Sequence, residues 1–357
     1  MAQLLHAMGD VHPHALKAKL ARELSRITFE RWNREEEKGG KTIFCNSGFE
    51  AVEAALKTAV LATGKAGIIA FKGAYHGVGY GALNATHRVH FRGPFKSQLR
   101  EFGRFVSFPT DQDLEITVKA VRKLLETRKV GAMLVEPIQV RGGINIPPAE
   151  FFPALRRLCD DYGALLVLDE IYTGFGRTGK WFACEHSNTV PDLICLGKAL
   201  TGGFPLSACI GRADLMDRAW PAASGEAIHT STFLGHPVGC AMALAQLEEI
   251  KRLKLVERSA AQGRVLLHLW RAGLANFRAV FSIRGLGLLA GVELRRNGSP
   301  ATELALAAIK SMLRRGFIVL PEGEYSNVIS FTPPLTLSGV QLSSAVKALA
   351  ATLSALQ

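Results

Sequence analysis

Three short stretches of this 357-residue chain hold the residues that could do chemistry. In ALLVLDEI (164–171), Asp169 and Glu170 close an apolar run that reads as a buried strand. In an open α/β sheet, ligands bind outside the carboxyl ends of the strands, so these carboxylates are either site residues or a solvated edge. In LICLGK (193–198), Lys198 follows a second such run. A lysine at a buried strand end can be partly desolvated, which favours a neutral, nucleophilic amine. The bland alternative is a surface lysine on a loop. In NSGFEAVEAAL (46–56), Ser47 and Glu50 form the S-x-x-E box that opens a helix. Gly48 would let the helix amides approach an anion, phosphate above all, although most such boxes only cap.

Two other glycine-rich stretches imitate nucleotide sites. Gly174, Gly179 and Lys180 of GFGRTGKW fit G-x-x-x-x-G-K, but Trp181 stands where a phosphate loop needs Ser or Thr for magnesium. Gly285, Gly287 and Ala290 of RGLGLLAGVEL fit G-x-G-x-x-A, but the residues after them are strand-like and offer no helix N-terminus to a pyrophosphate. A closely packed, twisted strand is the expected structure there.

The elements that position these residues follow from pattern. Near-continuous apolar runs at 134–138, 164–171, 193–197 and 207–211 alternate with helical patterns at 51–61, 114–128 and 151–163. That alternation predicts an α/β fold, with a mostly parallel central sheet covered on both faces. A long helix near 239–253 precedes a changed pattern, with helices at 260–275 and 302–315 among strand-like segments. The reading is a large domain over 41–250, a smaller C-terminal α+β domain over 251–357, and an N-terminal segment 1–40 that joins the small domain.

Composition narrows the classes. Apolar residues make up 48% and charged residues 21%, which excludes a disordered chain, a collagen-like chain and a long coiled coil. The net charge of +12 is scattered, with basic residues clustered only as pairs such as Arg156-Arg157 and Arg314-Arg315. No nucleic-acid partner is expected without a basic stripe. The six cysteines form no CxxC and have no histidine at zinc-ligand spacing, so buried reduced thiols and no metal are expected. No apolar run approaches the roughly 18 residues of a membrane span, and the N-terminus lacks a signal-peptide pattern; a cytoplasmic protein is the expectation.

A phosphate cradle, a carboxylate and a lysine at the ends of one parallel sheet are the set that pyridoxal 5'-phosphate (PLP) requires. It needs a lysine for the Schiff base, an acid for the pyridinium nitrogen and an anion site for the phosphate. The chain resembles the class III aminotransferases of PLP fold type I. The resemblance runs from about Asn46 to Pro334 and is carried by several blocks in order: SGFEAVEAALKTA, GAYHG (73–77), LVEPIQVRGG (134–143), LVLDEIYTGFGRTGKW (166–181), DLICLGKALTGGFPL (192–206) and HTSTFLGHPVGCAMALA (229–245). It explains GFGRTGK as part of the aminotransferase signature.

The resemblance implies a role for each matching residue. Lys198 is the Schiff-base and acid–base residue, and Asp169 the partner of the ring nitrogen. Ser47, Gly48 and Phe49 bind phosphate, mainly through backbone amides. Tyr75 and Ile171 lie on the two faces of the ring. Thr232 reaches the phosphate of the neighbouring subunit, so the assembly is a homodimer or larger. Arg141 and His76 are candidate substrate residues, and Glu136 lies in the vicinity. The implied activity moves an amino group from a primary amine or ω-amino compound to a keto acid or aldehyde. An aminomutase or racemase of the same fold is the alternative.

Three departures accompany the resemblance. Relatives that use glutamate and 2-oxoglutarate carry a second Glu in the EPIQ block, paired with an arginine before the C-terminal Pro-Pro; here the places hold Arg141 and Ser330. Tyr172 stands where many relatives have Gln, Val or Ile. The resemblance also implies several tens of residues before the equivalent of GDVHPHALKAKLARELS, more than this chain carries.

Overall fold

Seven apolar runs pair into one sheet in the computed structural model, which describes residues 12, 14–32, 39–222, 225–275, 277 and 279–356. The strands are β1 (Gly40–Cys45), β2 (Gly67–Phe71), β3 (Gly103–Val106), β4 (Val130–Val135), β5 (Leu165–Asp169), β6 (Leu193–Leu196) and β7 (Ser207–Arg212). Their spatial order is β1-β7-β6-β5-β4-β2-β3. Strands β3, β2, β4, β5 and β6 pair in parallel, and β7 lies antiparallel between β6 and β1. The expectation of a mostly parallel sheet holds. The strand expected at 134–138 begins earlier and ends at Val135, so Glu136 lies past its end.

Side chains alternate across each strand, so one face needs a cover at every second residue. Ile68, Ala70, Ala132, Leu134, Val167 and Cys195 share a core with the helix Gly48–Thr63. Its inward residues Ala51, Ala54, Ala55 and Ala59 are small and fully buried. On the residues between, Phe71 meets Phe151 edge-on at 5.4 Å, placing the helix Phe151–Tyr162 on the opposite face. We number the helices α1 (Ala15–Ile27), α2 (Gly48–Thr63), α3 (Leu114–Glu126), α4 (Phe151–Tyr162), α5 (Pro237–Arg252), α6 (Leu255–Leu274), α7 (Thr302–Arg314) and α8 (Gly339–Ala355).

The chain divides into two compact units. The larger comprises residues up to Pro137, Pro147–Tyr172 and Cys184–Glu249; the smaller comprises Ile138–Ile146, Thr173–Ala183 and Ile250–Gln357. Segment 1–40, expected to join the small domain, lies in good part outside the described residues. Its helix α1 lies against β1 in the larger unit, where Ser25 Oγ accepts from the Gly40 amide at 2.9 Å. The excursions 138–146 and 173–183 leave no local pattern, because long-range bonds define them. The Arg284 Nε donates to the carbonyls of Gly143 (3.1 Å) and Ile144 (3.0 Å), and Arg177 donates to those of Leu288 (3.0 Å) and Pro333 (2.6 Å).

The smaller unit has an antiparallel sheet of β8 (Val280–Leu286), β9 (Leu289–Arg296), β10 (Ser299–Pro300), β11 (Leu320–Glu322) and β12 (Val328–Phe331). Helices α6, α7 and α8 share its core, with Trp270 edge-on to Phe331 at 5.6 Å. RGLGLLAGVEL, expected as one twisted strand, is the hairpin β8–β9, with Gly287 in the left-handed region at its turn. The GFGRTGK segment is a run of turns, and no α-helix starts after Lys180 as a phosphate loop would need. No described helix is long and apolar enough to cross a membrane. All six cysteines are free and buried, and burial pushes the Cys240 thiol up to about 11.

Candidate active site

The register of two neighbouring strands brings the carboxylate and the lysine to one edge. Asp169, the last residue of β5, is level with Cys195 of β6, and Lys198 follows three residues beyond it. Lys198 has φ +38, an uncommon backbone for a non-glycine residue. Its side chain is exposed in the single chain, contrary to the expected desolvation at a strand end. An aromatic ring faces the amine: Nζ stands 4.5 Å from the ring centroid of Tyr172.

Asp169 is 6% exposed and held on both oxygens. Oδ1 accepts from the Ile171 amide at 3.1 Å, and Oδ2 lies 2.8 Å from His76 Nδ1. A carboxylate only accepts, so Nδ1 carries the proton of this bond. His76 is itself buried, at 2% exposure, and its amide donates to Thr86 Oγ1 at 2.9 Å. His76, expected as a candidate substrate residue, lies buried against the Asp169 carboxylate. Glu170, the adjacent acid, serves the fold, accepting from the Cys184 amide at 2.8 Å while fully buried. Successive residues of an extended chain point opposite ways, which separates the two carboxylates.

The third component is the N-terminus of α2. The Glu50 carboxylate accepts from the amides of Ser47 (3.0 Å) and Asn46 (2.7 Å). Ser207 Oγ of β7 donates to the Ser47 carbonyl at 2.6 Å, and Cys195 Sγ contacts the Ala51 carbonyl at 3.5 Å. The helix start is thus tied to β7 and β6. The reciprocal contact of Ser47 Oγ is looser, and that buried hydroxyl makes no hydrogen bond of ordinary geometry. A Cβ added at Gly48 would lie 3.0 Å from Ile171 Cδ1. Phe49 packs its side chain against the core beneath α2, which leaves its backbone for any phosphate contact.

The structure thus groups Ser47, Gly48, Phe49, Ile171, Asp169 and Lys198 at one edge of the larger unit, with His76 behind Asp169. Tyr75 sits just before it in the chain: its amide donates to Glu136 Oε2 at 3.1 Å, and its half-buried ring meets Phe91 edge-on at 5.0 Å. Thr232 is exposed in the turn that precedes α5. Arg141 is in the smaller unit, its Nε 3.5 Å from Glu322 Oε2. Ser330, also there, is buried in β12 opposite Leu320 of β11 and Gly291 of β9. Sequence reasoning missed the His76–Asp169 bond, the tie from Ser207 and the ring beside Lys198. Only the spacing of the Tyr172 position from Asp169 could have hinted at the last.

These residues fit PLP. A buried, unsatisfied hydroxyl and first-turn amides at a helix N-terminus suit a phosphate. The doubly held carboxylate suits a protonated ring nitrogen, and an accessible amine suits the aldehyde. The fit depends on Gly48 lying close against Ile171. Gly48→Val is expected to weaken PLP binding about tenfold or more, roughly 1.4 kcal/mol. Titration of PLP into the purified variant measures this; wild-type affinity would remove Gly48 from the cradle.

The comparisons agree with the geometry. The family model described as aminotransferase class III matches residues 1–353. A putrescine aminotransferase of Pectobacterium atrosepticum is 39% identical over 312 residues, covering 86% of this chain and 64% of that protein. The chain thus spans just under two thirds of the length of that curated relative. Among solved structures, a transaminase from the marine bacterium Virgibacillus superposes with a TM-score of 0.90 at 28% identity, covering 100% of this chain and 83% of that one. An amine transaminase from an uncultivated Pseudomonas species, in its PLP-bound form, gives 0.89 at 26% identity, covering 100% and 85%. With a family match along nearly its whole length and a site that fits the cofactor, the chain belongs to the class III aminotransferases, a PLP-dependent family.

Proposed function

We propose that this protein moves an amino group from a primary amine or ω-amino compound to a keto acid or aldehyde, in two half-reactions that share one site. The observation that carries the reading is the convergence of Asp169, Lys198 and the Ser47–Gly48 helix start on one sheet edge. When bound, PLP supplies the aldehyde and a ring that accepts the electrons left behind as the substrate carbon loses its proton.

Lys198 would hold the cofactor through Nζ, and the substrate amine would displace it. The freed Nζ would be the group placed to take a proton from the substrate carbon and give it back. Asp169 would keep a proton on the ring nitrogen, and the bond from His76 Nδ1 keeps its carboxylate in place. Ser47, Gly48 and Phe49 would anchor the phosphate and so orient the ring. Ile171 lies between Gly48 and Gly197; it would back one face of the ring, and Tyr75 the other.

The donor class rests on the similarity to a putrescine aminotransferase, whose named substrate is a diamine. The acceptor rests on the smaller unit. Arg141 is engaged with the buried Glu322 carboxylate, and Ser330 occupies the place of the arginine that would clasp a dicarboxylate.

The assembly we propose is a homodimer in which Thr232 completes the phosphate site of the partner subunit. Exposed apolar residues surround that loop, with Ile228 at 75% and Phe233 at 54% exposure. An adjoining groove of about 380 Å³ is lined by Leu56, Val60, Leu61, Phe102 and Trp220. Apolar surface of this kind marks an interface.

Borohydride treatment of the PLP-loaded protein should fix the pyridoxyl group on Lys198, and Lys198→Ala should fold but lose all transamination. Peptide mapping that places the group on another lysine would overturn the mechanism. With one amine donor, kcat/KM for pyruvate should exceed that for 2-oxoglutarate by roughly ten- to a hundred-fold, the value of one charge-assisted contact of about 1.5–3 kcal/mol. A clear preference for 2-oxoglutarate would mean that an arginine does clasp it. Sedimentation at assay concentration should find a dimer; a fully active monomer excludes the role of Thr232.

A further inference from the structure

We infer that Tyr172 is a positioning residue for Lys198: in the protein before the cofactor is bound, the face of its ring holds the lysine ammonium. The inference rests on the catalytic role proposed for Lys198 and deepens it. Nζ stands 4.5 Å from the ring centroid, within the roughly 6 Å over which an ammonium is attracted to an aromatic face. Both residues belong to the larger unit, Tyr172 three residues beyond the end of β5 and Lys198 two beyond the end of β6. The strands pair in register, so the pairing that aligns Asp169 with Cys195 also sets the ring beside the amine.

The other ionisable groups at these strand ends have fixed partners. Asp169 is held by His76 and the Ile171 amide, and Glu170 is buried on the Cys184 amide. Tyr172 is half-buried and Lys198 exposed, so the ring is the more fixed of the two and limits how far the long side chain turns into solvent. A ring face attracts the cation and not the neutral amine. It therefore holds the protonated Nζ near the site and slows its reaction with electrophiles until a proton is given up.

The test uses the full chain before PLP is added. Acetylation of Lys198 by a limiting amine reagent is measured by peptide mass spectrometry against surface lysines of the same sample, and PLP capture is followed by absorbance. Tyr172→Leu should raise the labelling of Lys198 and the rate of PLP capture about two- to five-fold, the strength of an exposed cation–π contact. Tyr172→Phe, which keeps the ring, should stay near wild type. Structural damage would slow PLP capture, the opposite direction. Pentafluorophenylalanine at 172 keeps the shape and reverses the charge of the ring face, so it should behave like Leu even if the Leu variant folds poorly. Equal labelling in wild type and the fluorinated variant, or Phe behaving like Leu, overturns the inference. Failure of the catalytic reading is separate: borohydride would then map PLP to another lysine, while labelling would still report on the ring and Lys198.

Discussion

Parallel pairing is the constraint on which the site depends. Strands β4, β5 and β6 run side by side in one direction, so their carboxyl ends meet along one edge, and the residues after each strand are delivered there. Asp169 and Lys198 lie at the ends of two neighbouring strands, with the excursion 173–183 between them in the chain. Hydrogen bonding between two backbones brings them together, with no contact between the two side chains required. A one-residue slip in that pairing would turn Asp169 toward the core and bring Glu170 to the edge in its place.

A helix can add its N-terminus to that edge only if it lies close to the sheet. The small inward residues of α2 allow this, and the bonds from Ser207 and Cys195 fix how far along the strands it starts. Ile171 then lies against Gly48 on one side and Gly197 on the other. The same side chain therefore spaces the anion cradle from the lysine loop. Close packing here costs side-chain volume in α2 and is offset by the apolar area buried on both faces of the sheet.

Polar groups around the site divide into those that act and those that hold. Asp169 and Glu170 are neighbours in the chain, yet one has its carboxylate at the edge and the other is sealed on the Cys184 amide. His76 is sealed as well, which gives Asp169 a permanent donor in a region with little water to compete. Arg141 and Glu322 form a separate pair inside the smaller unit.

Much of this was legible in the residues alone. Alternating apolar and helical runs identify an α/β fold because burial on two faces demands near-continuous hydrophobic strands. Lysine and aspartate at strand ends, with a capping box before an alanine-rich helix, suggest the cofactor because each is a local signal. The ordered blocks add the family. Three-dimensional pairing decided the rest. The excursions of 138–146 and 173–183 into the smaller unit are held by arginine-to-carbonyl bonds that leave no periodicity. The hairpin in RGLGLLAGVEL depends on which strand β9 pairs with. His76 behind Asp169, and Tyr172 beside Lys198, lie about 90 and 26 positions from their partners. Such contacts are absent from any local pattern, since they follow from strand register and sheet order, which the whole fold settles at once.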